Sequence, residues 1–177
     1  SADLELSPVY GSINANIANA NSYASNSVLK TGDWYKLSVS SDGIHILSYA
    51  FLKSIGIDVD NINPQNIRLF GNGGGMLPFS NSDFRYDDLE ENSIQVIGEN
   101  DGSFDATDYI LFYGKGPNTW NYNVSESRFM HQKHLYTNKA CYFLTTNGGT
   151  GSPKRISLQN SYANFNTTVT ELSGSSA

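Results

Sequence analysis

The sequence predicts an all-β fold, an antiparallel β-sandwich or jelly roll carrying one short helix. Three observations carry that expectation. Short apolar runs recur between Gly, Asn, Asp and Pro clusters at intervals of about 8–12 residues, the spacing of sandwich strands. Eleven Tyr and nine Phe in 177 residues favour pleated, half-buried surfaces over helices. With a single Cys, no internal disulfide is available, so a chain of this length must hold together by packing.

Taken in order, residues 1–27 form an Asn-, Ala- and Ser-rich arm (GSINANIANANSYASNS) without sustained periodicity. Residues 28–172 are expected to form one sandwich domain, and 173–177 (SGSSA) has linker composition. The sequence opens at Ser1-Ala2, which leaves export open. Asp33–Val39 alternates as a strand with one wet face. Ser40-Ser41-Asp42-Gly43 reads as a hairpin turn, with Ile44–Leu47 as the returning strand. Ser48 is a natural N-cap for YAFLKSI, a helix with Phe51, Leu52 and Ile55 on one face and Gly56 at its exit.

Asn63-Pro64 opens the next segment and Ile67–Phe70 is a strand, closed by Gly71–Gly75. Pro78–Asp88 is a long loop. Ser93–Ile97 alternates as a half-buried strand, whereas Tyr109–Tyr113 (YILFY) is apolar throughout and predicts a strand buried on both faces. The acidic connection between them makes a hairpin. Trp120–Tyr136 holds aromatics in polar company, Ala140–Thr145 is a strong strand, Arg155–Leu158 is short and edge-like, and Phe165–Leu172 is a candidate last strand.

A net charge of −6 without a Lys/Arg cluster argues against nucleic acid as a partner. No run approaches the roughly 20 apolar residues of a membrane helix. The acidic connection offers Asp101, Asp105 and Asp108 as calcium candidates around Gly102. On an alternating calcium-loop pattern, however, the first ligand position falls on Ile97, and a strand rather than a helix follows. Asx-type turns that only shape the hairpin are the competing reading. No other cofactor is expected. Gly71–Gly75 lacks the Lys-Ser/Thr and the helix of a phosphate loop. His45, His131, His134 and Cys141 do not make a zinc set by spacing, and Cys141, mid-strand, reads as a buried inert thiol. The run Asp87, Asp88, Glu90, Glu91 reads as solvated loop charge. Trp34 and Trp120 are the candidate binding-surface aromatics, since exposed rings on a sandwich can stack sugars. Core packing is the competing reading for them, and Trp120 is expected to pack.

The string RYDDLEENSIQVIGENDGSFDATDYILFYGKGPNTW resembles the region just before the catalytic domain of gingipain-like cysteine peptidases. It is most similar to the cell-surface sortases of the type IX secretion system of Bacteroidetes. Their pattern DL-x-EN-x-I-x-V, then DG-x-F-D-x-x-D-Y-I-x-F-Y-x-x-G-P-x-x-W, stands here in both halves. GDWYKLSVSSDGIHILSYAFLKSIGID, RLFGNGGGMLP and HLYTNKACYFLT extend the likeness over roughly Val28 to Thr146.

The resemblance implies a non-catalytic N-terminal accessory domain of an exported protein, at the outer membrane and cell surface or in the periplasm of a Gram-negative bacterium. Its partners would be the downstream peptidase domain of the same chain, secretion-system proteins or cargo. The family's catalytic His and Cys lie in that downstream domain, so no catalytic residue is carried over. A carbohydrate-binding module using Trp34 or Trp120 and a self-contained enzyme using Cys141 are the alternatives.

Overall fold

The computed structural model describes residues 23–157. The arm up to residue 22, the proposed last strand at Phe165–Leu172 and the tail at 173–177 lie outside the described residues.

The fold is a mostly antiparallel β-sandwich with one short α-helix. Its strands are β1 (Tyr35–Val39), β2 (Gly43–Ser48), β3 (Arg68–Phe70), β4 (Glu91–Asn92), β5 (Gln95–Ile97), β6 (Tyr109–Gly114), β7 (Thr119–Asn123), β8 (Arg128–Gln132) and β9 (Ala140–Thr145). Four of them form one sheet in the order β1-β9-β3-β4, and three form a second in the order β2-β6-β5. The last two make a separate ribbon, β7-β8.

The core takes the inward positions of both main sheets. Leu37 and Val39 of β1 and Ala140, Tyr142 and Leu144 of β9 meet Leu47, Val96, Ile110 and Phe112. The Phe112 and Tyr142 rings, with centroids 5.5 Å apart, join the two sheets. The phenol oxygen of Tyr142 accepts a 2.7 Å bond from the Lys115 amide, which satisfies its polar tip inside the core. Burial raises the Tyr142 pKa above its ordinary value. Helix α1 (Tyr49–Ser54) starts where the sequence predicts, with the Ser48 hydroxyl accepting from the Phe51 amide at 3.2 Å. Gly56 follows the helix at φ +90°, as a left-handed exit requires.

Several expectations are corrected. β1 and β2 do not form a hairpin: β1 pairs with β9 and β2 with β6, so Ser40–Asp42 carries the chain from one sheet to the other. Alternation within each strand was compatible with either pairing. Phe51 does not join Leu52 in the core; Leu52 is fully enclosed and Phe51 is exposed. β6 is not buried on both faces, because Ile110 and Phe112 point inward while Tyr113 stands 55% exposed. Trp120–Tyr136 holds all but the first residue of the β7-β8 ribbon, and Arg155 makes a single parallel bridge to Ile94. The β5/β6 antiparallel pair stands as predicted.

Candidate functional site

The outward positions of the two main sheets differ in what covers them. On the four-stranded sheet, Phe70 meets the edge of the Trp34 ring at 5.2 Å, and Trp34 Nε1 donates to the Thr31 carbonyl at 2.8 Å. Beside them Arg68 is buried. Its guanidinium donates to the carbonyls of Thr150, at 2.7 Å, and Gly151, and approaches Glu91 at 3.5 Å. Of the two tryptophans, Trp34 is thus a half-buried packing residue.

The three-stranded sheet has no such cover among the described residues. Register sets Ile44 opposite Tyr113 and Ile46 opposite Leu111, and all four side chains stand on the outer face. Ile44 is 74% exposed and Ile46 63% exposed. The signal was present in GIHIL: its alternate positions Ile44 and Ile46 are as apolar as Leu47 in the core, so β2 has no polar face.

The ribbon is the second open surface. Asn123 starts its turn, with its side-chain oxygen accepting from the amides of Ser125 (3.0 Å) and Glu126 (3.2 Å), and Ser127 closes it at φ +49°. Register places Trp120 opposite His131 and Tyr122 opposite Phe129 on one face. Their ring centroids lie 4.7 Å and 5.2 Å apart. Trp120 is 65% and Phe129 68% exposed, so the expectation that Trp120 packs into the core is overturned. The ribbon is a sheet of its own, and among the described residues no second layer buries this face. Beyond its base, Leu135 and Tyr136 line a groove with Met76, Leu77 and Phe79 of the long loop.

The acidic connection is built as a turn. Gly98 follows β5 at φ +93°, and the Asp108 carboxylate packs so closely there that a Cβ on Gly98 would lie 2.0 Å from it. Asp108 is buried and accepts from the Asp105 amide at 2.8 Å, while Asp101 accepts from the Ser103 amide at 3.0 Å. Among the described residues, no three His, Cys, Asp or Glu side chains are grouped to hold a metal ion.

The acids at 87–91 are not merely solvated. Asp88 takes the Val28 amide and the Ser27 hydroxyl, the latter at 2.8 Å, and Glu91 reaches Arg68. Burial pushes the Asp88 carboxyl up, but hydrogen bonds from Leu89, Val28 and Ser27 outweigh it and hold the pKa below its ordinary value. Arg155 was not singled out in the sequence. It binds Glu99 at 2.9 Å and the carbonyls of Ile67 (3.0 Å), Gln65 (3.0 Å) and Pro64 (3.2 Å), which ties the acidic turn to β3. Cys141 is half-buried rather than buried. His134 is occupied as an acceptor from the Tyr136 and Thr137 amides.

No protein-family model and no curated protein matches the chain. Among solved structures, one likeness is to a segment of a much longer chain. That structure is of dimeric latent PorU from Porphyromonas gingivalis, with 28% sequence identity and a TM-score of 0.55 over 76% of this chain. The match spans 11% of the PorU chain. The chain is therefore similar to a PorU region and fits a piece of a larger protein. Among the described residues, no helix is long and apolar enough to cross a membrane.

Proposed function

We propose that residues 28–172 are a non-catalytic docking domain of an exported, PorU-like protein of the gingipain-like sortase class, at the outer membrane and cell surface or in the periplasm. The observation that carries this reading is the apolar face of Ile44, Ile46, Leu111 and Tyr113, which no described segment covers. A sheet that buries one face against its partner sheet and leaves the other apolar is half of an interface. The likeness to a small segment of a long chain supplies the occupant: a neighbouring domain of the same protein, the downstream peptidase domain by resemblance. Catalysis then belongs to that domain, and secretion components or cargo are further partners.

The test is titration of this chain against the remainder of its parent protein, supplied separately, by calorimetry. Binding that weakens at least about tenfold when Ile44 and Ile46 are both changed to Thr, with the fold intact, supports the reading. Undiminished binding rejects it. Calcium has no part in this reading, since Asp101 and Asp108 are engaged in the turn. The melting temperature is expected to be the same in calcium and in chelator; a rise in calcium would show a native-state site.

A second reading, carbohydrate binding, is favoured by one observation, the exposed ring of Trp120. Glycan-array binding lost in Trp120→Ala would establish it.

A further inference from the structure

The ribbon has a feature that the docking face lacks: an open strand edge with a charge of its own. β8 pairs with β7 on one side, and no described strand pairs with its other side. All five of its residues are exposed, while β7 is partly covered at both ends. Unpaired amides and carbonyls along such an edge are a template for another extended chain.

The charge is specific to this part of the molecule. The chain carries −6 overall, yet the sequence has no Asp or Glu between Glu126 and Glu171. Arg128 opens β8, His131 lies within it, Lys133 follows directly and Lys139 a little further on. Glu126 pairs with Arg128, and it is the sole acid in the ribbon and its turn. Beside this edge stand the exposed rings of Trp120, Tyr122 and Phe129.

We propose that the outer edge of β8 binds an extended, acidic peptide segment of a partner protein by adding it as a third strand to the ribbon. The edge supplies main-chain hydrogen bonds, the rings receive alternate apolar side chains, and Arg128 and Lys133 select for carboxylates. This site is separate from the sheet face and does not depend on the docking reading. A peptide is favoured over an anionic polysaccharide because a glycan has no backbone amides to satisfy the edge. The rings, moreover, meet each other at 31° and 62° rather than lying side by side as a flat sugar platform.

The test uses the full 177-residue chain and peptides of about eight residues, enough to run along the strand, in which Glu alternates with Val or Tyr. Calorimetry measures affinity, and amide hydrogen exchange measures protection along β8. The expected result is binding at low salt with new protection of β8 amides, weakened at least about tenfold by Arg128→Glu with Lys133→Glu. It should be abolished when alternate peptide amides are N-methylated, because methylation removes the strand pairing. Equal binding of a peptide with Lys in place of Glu, or binding without β8 protection, overturns the proposal. So does failure of the peptide to bind while a polyuronate binds in its place. Both variants sit on exposed side chains, and circular dichroism confirms that they fold.

Discussion

The two sheets of this sandwich share a core but treat their outer faces in opposite ways. On the four-stranded sheet, Arg68 and Phe70, the outward residues of β3, are both buried, one under the carbonyls of Thr150 and Gly151, the other under Trp34. On the three-stranded sheet, the outward residues Ile44, Ile46 and Tyr113 are bare. A charged guanidinium is thus enclosed where isoleucines are exposed, the reverse of the usual sorting. The difference teaches that exposure here follows coverage by neighbouring segments rather than residue type. Described segments of the chain close over Arg68 and Phe70, and no described segment closes over Ile44, Ile46 and Tyr113.

The sharpest way to test that contrast is to remove Arg68. Arg68→Ala deletes its bonds to two carbonyls and leaves Glu91 partly buried without its cation. Breaking a buried pair from one side costs about 3 kcal/mol or more, and chemical denaturation should show a loss of that order. A loss within about 0.5 kcal/mol, as for an ordinary surface change, would mean that the 150–151 segment does not finish this face.

Gly98→Ala probes the turn that leads from β5 to β6. Gly98 sits at φ +93°, and an added Cβ would meet the Asp108 carboxylate at 2.0 Å. The left-handed backbone alone costs a non-Gly residue roughly 1–2 kcal/mol, so a total of about 2 kcal/mol is expected. Hydrogen exchange should place the loosening at β5 and β6. If Gly98→Ala were neutral, the acidic turn would be more plastic than its hydrogen bonds indicate.

A smaller effect is expected at Asp88, which fastens Ser27 and Val28 to the long loop. Its folded carboxyl holds a proton more weakly than the unfolded one. Its contribution is therefore complete above about pH 4, the unfolded value, and drains away as pH falls through the lower folded value. Asp88→Asn should lower stability slightly at neutral pH, by less than about 1 kcal/mol for so accessible a group. It should also flatten the acid limb of the stability profile. An unchanged acid limb would assign acid sensitivity to other carboxylates.

Local pattern made much of this fold legible. β5 follows from period-two alternation, β6 and β9 from short apolar, aromatic-rich runs, and the Ser48 cap and Gly56 exit from capping chemistry and left-handed glycine. What alternation does not encode is which strand lies beside which. Asp33–Leu47 looks like a hairpin because two strands flank a Ser-Ser-Asp-Gly turn, but only the partners β9 and β6, far along the chain, decide the sheet. The same gap hid the open surfaces. Trp120 was expected to pack because large aromatics usually anchor cores, and nothing local says that β7 and β8 form a separate ribbon whose aromatic face no described residue covers. Arg155 and Arg68 were invisible for a related reason. Besides Glu91 and Glu99, their partners are main-chain carbonyls of distant segments, such as Ile67 and Thr150, and main chain leaves no mark in a sequence.

The smallest expected effect bears most directly on function. Ile44→Thr and Ile46→Thr keep β-branched residues in β2 and replace side chains that already face water, so strand propensity and core burial are both nearly unchanged. Each should alter the stability of this chain by no more than about 0.5 kcal/mol. In the assembled parent protein the same changes should weaken domain association, because there the two isoleucines would be enclosed. The pair of measurements separates two meanings of an apolar side chain. If the Thr variants unfold this chain outright, the face is part of its own folding unit, covered by residues beyond the described range, and the docking reading fails. If they are silent here and costly there, the bare face belongs to the interface.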